Sequence, residues 1–573
     1  VGGRDGFVGQ LARSPDAWEP GPFTEAIEHV DARIDCADFA VAGLLRSLFL
    51  HRAAMPAELV AEVERCLLGF RYWWDEPGPD RMCFHTENHQ ILFHSNELLA
   101  GQLFGDRVFG NTGTPGAARV AHATPLVERW LALRAAAGWS EWLANGYTEH
   151  NLLALLNLHD FAASAELRAA AGRLVDVLLF ELSLHSYRGV FGSTHGRSYA
   201  GTILRSRSEG TASLCRLALG TGSFEDPASL GAVALATSGY RPPPVLETIA
   251  ADPRPATFRE RQGFDVAEAG RFGLGLTDER DGHAYWAMQE FMHPDVLPLT
   301  RRLQRRYGLG LDRDPAAYVA EYARQRAEHG RIVDPLRDCH ALTEARVQTY
   351  RTGDGMLSSV RDYRPGSPGY QQHVWQATLG PDAVVFTNHP GGDEGDLTGR
   401  PNFWAGNGVL PRAGQAGNVL VCVHRVPPSD PRPYSHAYLP ADRFDRVVAQ
   451  DGWVFAALGT GYLALHSQHR WQARGDELRV SAVDNTWLCE VGRAADWGGF
   501  EDFVAAVAGS EVRHEGGRVA YRSPSRGLVG FGWHGPLTVD GTQITHDSGL
   551  RFDNPWLRSP IGADQELERV IRA

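Results

Sequence analysis

The chain has 573 residues, 43% of them hydrophobic and 22% charged, a size and balance that call for at least two buried cores. Its formal net charge of -13 argues against general nucleic-acid binding, which needs a basic surface. All 56 basic residues are arginine, which removes lysine Schiff-base chemistry, pyridoxal phosphate attachment and the phosphate-loop lysine.

The opening residues, VGGRDGFVGQ, lack a charged-then-apolar leader. Because the chain starts on Val, a removed leader with a secreted or periplasmic location stays open beside a cytoplasmic one. From about residue 20 to 330 the apolar spacing is helical, as in DFAVAGLLRSLFLH, ELVAEVERCLLGF, HQILFHSNELLAGQLFG, NLLALLNLHDFA and ELRAAAGRLVDVLLFELSLHS. Such helices without strand alternation predict an (α/α) helical toroid over residues 1–335, with a plain bundle as the alternative. Near residue 340, after DPLRDCHALT, the pattern becomes short alternating or β-branched runs such as EARVQTYRTG, NVLVCVHRV and YLALHSQHRW. These predict an antiparallel β-sandwich over residues 340–573, and hence an α+β multidomain chain. Residues 389–417 form a Gly- and Pro-rich loop of a length that is usually functional or disordered. No apolar run reaches the roughly 18 residues that a membrane span needs. The seven cysteines are scattered with no CxxC, so neither a zinc ribbon nor a dense disulfide framework is expected.

Three polar clusters carry the candidate chemistry. The first is RYWWDEPGPDRMCFHTENHQILFHSNELLAG, where Trp73 and Trp74 offer a sugar-stacking platform and Glu87, Asn88 and His89 open an amphipathic helix. The plainer reading makes Asn88 a helix cap and Glu87 a partner of the helix dipole. His94 and Glu97, further along that helix, cannot share one site with His89, so at least one of them is structural. The second cluster sets Asn145, Tyr147, His150 and Asn151 at another helix entry. The third, HSYRGVFGSTHGRSYAGTILRSRSEG, gathers His195, Arg197, Tyr199, Arg205 and Arg207 in a glycine-broken loop suited to grip a carboxylate or sulfate, or simply to meet solvent.

With these residues in view the chain resembles the heparinase II/III-like and oligoalginate lyase group of polysaccharide lyases, whose members join a helical toroid to a β-sandwich. The resemblance implies that Asn88 and His89 neutralise a uronic carboxylate and that Tyr147 serves as base or acid. QQHVWQATLGPDAVVFTNHPGG is similar to the group's segment that brings a histidine over the cleft, with His373 in that position and His389 at the following turn. The group's structural zinc uses an HxH or HxHxD pattern. This chain reads Gln371-Gln372-His373-Val374-Trp375-Gln376, so no metal and no cofactor are expected.

The expected activity is β-elimination in a uronic-acid-containing poly- or oligosaccharide. Asn88, His89 and Arg197 would neutralise the carboxylate and Tyr147 would act as base, its pKa drawn below the ordinary value of about 10 by a nearby arginine or histidine. His195, Tyr199 and His373 complete the acid–base set, and Trp73, Trp74, Glu87, His150, Arg197, Arg205, His389 and Trp404 the substrate-binding set. A rival reading is a glycoside hydrolase using a carboxylate pair from Asp75, Glu76, Glu87, Glu141 and Glu149. A third is a non-catalytic glycan-binding protein in which Trp73, Trp74 and Trp404 hold sugar. The 389–417 loop would block one end of the cleft in an exo-acting enzyme.

Overall fold

The computed structural model describes residues 7, 20–224, 229–311, 314–546 and 549–561. The VGGRDGFVGQ stretch, apart from Phe7, lies outside the described residues, as do the last residues of the expected β domain. Between Pro20 and His329 the described chain is mainly helical, and from Ala345 onward it is mainly antiparallel sheet, an α+β multidomain architecture. Among the described residues no helix is long and apolar enough to cross a membrane. No disulfide joins any of the seven cysteines.

The helix Glu87–Leu103 is the centre of the helical part. Residues Glu87 to Gly101 are all buried, so this helix is surrounded rather than amphipathic at a surface. Helices Ala37–His51, Gly116–Ala137 and Thr148–Phe161 pack around it. The closest crossing runs through Gly101, where an added Cβ would stand 2.8 Å from the Gly116 carbonyl oxygen, so only glycine permits it. Helix Ala165–His185 starts at Ser164, whose hydroxyl accepts the Leu167 N–H at 3.2 Å, with Glu166 in the first turn.

A ten-stranded antiparallel sheet runs across the β part in the order Gln472–Arg474, Glu477–Val480, Ser435–Tyr438, Val384–Asn388, Trp375–Thr378, Met356–Arg361, Ala345–Arg351, Ala256–Gln262, Leu550–Asp553 and Arg558–Pro560. The strand Ala256–Gln262 comes from the helical half of the sequence and pairs along its whole length with Ala345–Arg351. Helix Ala165–His185 is bound to this seam. His185 reaches Glu260 at 2.9 Å and Thr349 at 2.8 Å, and Arg351 donates to the Ser183 carbonyl at 2.6 Å. The helical part and the large sheet therefore share one apolar core.

A six-stranded sheet stacks on the large one, tied by Trp487 Nε1 donating to Ser435 Oγ at 3.0 Å and Gln415 Nε2 donating to the Leu357 carbonyl at 2.9 Å. In its strand Val419–Arg425, Leu420 and Cys422 join the core with the large sheet. Val419, Val421 and Val423 join a second core with helix Phe500–Ala508 and a five-stranded sheet. Burial on both faces explains the continuous apolar run VLVCV.

Candidate active site

A cleft of ≈ 790 Å³ opens where the start of the central helix meets the turn at Tyr147, the loop at 197–199 and two loops of the β part. Trp74, His89, Tyr147, Arg197 and Tyr199, all expected from the sequence, line it, and Tyr370 and Arg400 close it from the β side.

The hydroxyls of Tyr147 and Tyr199 are in direct hydrogen-bond contact. The Arg197 guanidinium lies 3.8 Å from the Tyr147 ring centroid, and that of Arg400 lies 5.1 Å from the Tyr199 ring centroid. Arg197 is fixed by Glu141 Oε1 at 2.7 Å and Gln371 Oε1 at 3.1 Å. Glu141 in turn accepts the Asn88 side-chain amide through Oε2 at 3.0 Å. Asn88, fully buried, is thus joined to the cleft through Glu141 and Arg197 rather than lining it.

Electrostatics follow this geometry. Burial raises the Tyr147 phenol above its ordinary value; Arg197 opposes this and contact with Tyr199 reinforces it, so the net direction is upward. The arginine foreseen to lower Tyr147 is therefore present but outweighed. Burial would weaken the charge of Arg197, yet Glu141 and the two tyrosines hold its pKa well above the ordinary value. Burial would likewise lower His89, but Asp38, Cys83 and Asp35 raise it to about 9. Its Nδ1 contacts the buried Asp38 carboxylate at 2.8 Å.

His195 and His373 lie behind the cleft wall, 1% and 4% exposed, and exchange two backbone hydrogen bonds of 3.0 and 2.8 Å. Their rings stack 5.7 Å apart. Burial depresses His195 to about 3, helped by His373, and depresses His373 to about 4. Both are neutral in ordinary buffers. Their joined backbones, with Ser198 N–H donating to the Gln371 carbonyl at 3.1 Å, hold the Arg197 loop against the β part.

The remaining expected residues sit elsewhere. Glu87 is fully buried, paired with Arg134 and accepting the Ser140 N–H at 2.6 Å, so it closes the 138–141 turn instead of meeting substrate. Trp73 packs on His94 at 4.2 Å inside the core, and Trp404 stacks on His436 at 4.2 Å in a separate apolar cluster. His389 is buried against the Arg432 carbonyl at 2.9 Å, displaced from the cleft by that contact. His150 packs on Phe39 at 4.1 Å, behind Tyr147, and Arg205 is exposed outside the cleft. Glu97 pairs with Arg119 and His122 and so is structural, and His94 is buried against Trp73.

Sequence reading passed over Arg400, Tyr370 and Asp38. Arg400 comes from the 389–417 loop, whose expected cleft residues were His389 and Trp404 rather than Arg400. His373 spends its Nε2 on Gln376 at 2.9 Å, and the metal-compatible clusters among the described residues are Asp35, Cys83, His89 and Asp338, Cys339, His340.

No protein-family model matches the chain, and no curated protein matches it. A solved structure of a chondroitin AC lyase variant from Streptomyces coelicolor A3 aligns with 93% of this chain and 85% of its own, at 13% identity and a TM-score of 0.27. A likeness that low carries no argument, and the functional reading rests on the cleft.

Proposed function

We propose that the chain is a polysaccharide lyase, a helical toroid followed by a β-sandwich, that cleaves a uronic-acid-containing glycan by β-elimination. The observation that carries this reading is the contacting hydroxyl pair of Tyr147 and Tyr199 in a cleft flanked by the Arg197 and Arg400 guanidiniums.

The C5 proton of a uronate is only weakly acidic until its carboxylate is neutralised. Arg400, Arg197 and the His89 ring N–H are the donors on the cleft suited to that, and such fixed donors act strongly in a desolvated site. Asn88 has a positioning role in this account, since it orients Glu141, which fixes Arg197. Tyr147, as phenolate, takes the C5 proton. The electron pair forms the C4–C5 double bond, the C4–O4 bond breaks, and Tyr199 gives its proton to the leaving oxygen. A proton passed from Tyr147 to Tyr199 across their contact then restores the starting state.

The five carboxylates the sequence offered to a hydrolase are otherwise engaged. Asp75 faces His122 at 3.1 Å, Glu76 meets Arg119 at 3.0 Å, Glu87 pairs with Arg134 and Glu141 with Arg197. Glu149, raised to about 7 by burial, accepts hydrogen bonds from Ser229 and Gly231. None of the five lines the cleft. The test is a panel of uronate and neutral polysaccharides read both for the unsaturated-uronate chromophore and for reducing ends. A lyase gives both signals together. Reducing ends without chromophore establish a hydrolase, and neither signal across the panel supports a glycan-binding protein.

A further inference from the structure

We propose that Asp35, Cys83 and His89 bind a divalent metal ion of the zinc type on the wall of the cleft. One ligand atom from each lies within 4.8 Å of the others, and all three residues border the cleft. His89 is oriented for this. Its Nδ1 is held by the buried carboxylate of Asp38 at 2.8 Å, its ring stacks on Phe39 at 5.0 Å, and its Nε2 is left 4.0 Å from Asp35 Oδ1. A histidine whose far nitrogen is tied to a buried carboxylate is the usual partner arrangement behind a metal ligand.

The two ligand-bearing segments are also fastened to each other. Ile34 and Arg81 form a parallel bridge, Arg81 N–H donates to the Arg33 carbonyl at 2.9 Å, and Asp35 Oδ1 accepts the N–H groups of both Cys36 and Cys83 at 3.1 Å. His85 Nδ1 stands 3.5 Å from Cys83 Sγ. A thiolate, an imidazole and a carboxylate suit zinc and disfavour magnesium or calcium, which take oxygen ligands. Tetrahedral metal–ligand bonds of about 2.0–2.3 Å set donor atoms about 3.3–3.8 Å apart, so the 4.0 Å between His89 Nε2 and Asp35 Oδ1 closes by roughly 0.6 Å on binding, a shift the exposed Asp35 side chain can supply. Three protein ligands leave a fourth position, and it faces the cleft. Resting on the lyase reading, that position would take the uronate carboxylate, with the metal as the Lewis acid that neutralises it in place of the His89 Nε2–H, whose nitrogen then holds the ion.

The experiment uses the full chain, stripped of metal with a chelator and titrated with Co²⁺ and Zn²⁺. The expected result is one equivalent of Co²⁺ producing a thiolate-to-cobalt charge-transfer band that Zn²⁺ displaces. Cys83→Ser abolishes the band, and Asp35→Asn, at an exposed side chain that leaves the fold intact, weakens binding at least tenfold. Asp38→Asn weakens it about 10- to 100-fold through His89. Cys339→Ser, in the contiguous Asp338, Cys339, His340 cluster, leaves the band unchanged. No thiolate band in the wild type, or a band lost with Cys339→Ser and kept with Cys83→Ser, overturns the proposal. Tyr147→Phe keeps the metal and loses elimination. A metal site that binds as described in a chain whose Tyr147→Phe variant still eliminates would refute the lyase assignment of Tyr147 and leave the metal site standing.

Discussion

Glu87→Gln separates the structural account of this residue from the catalytic one. Glu87 and Arg134 are 0% and 1% exposed at their side chains and face each other directly. Removing one partner of a buried pair costs about 3–5 kcal/mol, because the other charge stays buried without compensation. Glutamine still offers an oxygen to the Ser140 N–H, and Arg134 retains Ser140 Oγ at 2.8 Å, so the lower end, about 3 kcal/mol, is expected. The loss is read as a lower urea midpoint for the transition that melts the helical signal. Adding Arg134→Met removes the stranded charge and should recover much of the loss, a coupling of about 2 kcal/mol in the double-mutant cycle. Turnover per folded molecule should stay within about tenfold of wild type. A stable Glu87→Gln protein whose kcat falls by about 10³ or more would refute this and make Glu87 a catalytic carboxylate, since general acid–base groups contribute about 10²–10⁴.

The raised Tyr147 phenol predicts kcat/KM that climbs with pH through the neutral range and beyond the ordinary tyrosine value; a plateau at neutral pH in a steady-state profile would contradict Tyr147 as base. His195 and His373, depressed to about 3 and about 4, bind protons less readily folded than unfolded. Stability should therefore fall as pH drops below about 6.5, each histidine contributing about 1.4 kcal/mol per pH unit until its folded value is reached, as measured by urea midpoints from pH 7 to 4. Gly196→Ala sets a Cβ 2.6 Å from Trp142 Cδ2, between His195 and Arg197, and should cost about 1–3 kcal/mol while lowering kcat through displacement of Arg197. Arg400→Ala should raise KM for acidic oligosaccharides more than it changes the melting temperature, since the residue lines the cleft.

Local periodicity carried much of the fold. The spacing in ELRAAAGRLVDVLLFELSLHS matches the helix Ala165–His185, and NVLVCVHRV holds the strand Val419–Arg425. The strand Ala256–Gln262, with sequence ATFRERQ, was invisible because its polar residues satisfy a non-local partner, Ala345–Arg351, that no window contains. For the site, polar residues at helix entries pointed to His89 and Tyr147 and the glycine-broken loop to Arg197 and Tyr199, whose convergence depends on these segments meeting at one end of the helical part. Residue type misled for Trp73 and Trp404, because an indole suits a core as well as a sugar, and each found an imidazole to pack on. Asp38 escaped notice because it looked like an ordinary acidic residue in the first turn of Ala37–His51, and only tertiary packing sets it against His89. Arg400 depends on the path of a loop whose composition says nothing about which side chain turns inward.

The central claim is elimination by a tyrosine pair, and its most direct test is the near-ultraviolet absorbance of an unsaturated uronate in reactions of wild type, Tyr147→Phe and Tyr199→Phe on the uronate panel. The account predicts chromophore growth matched to chain cleavage in the wild type, and loss of at least about 10² in kcat in each variant with the fold intact. Cleavage without the chromophore, or elimination that persists at full rate in Tyr147→Phe, would contradict it.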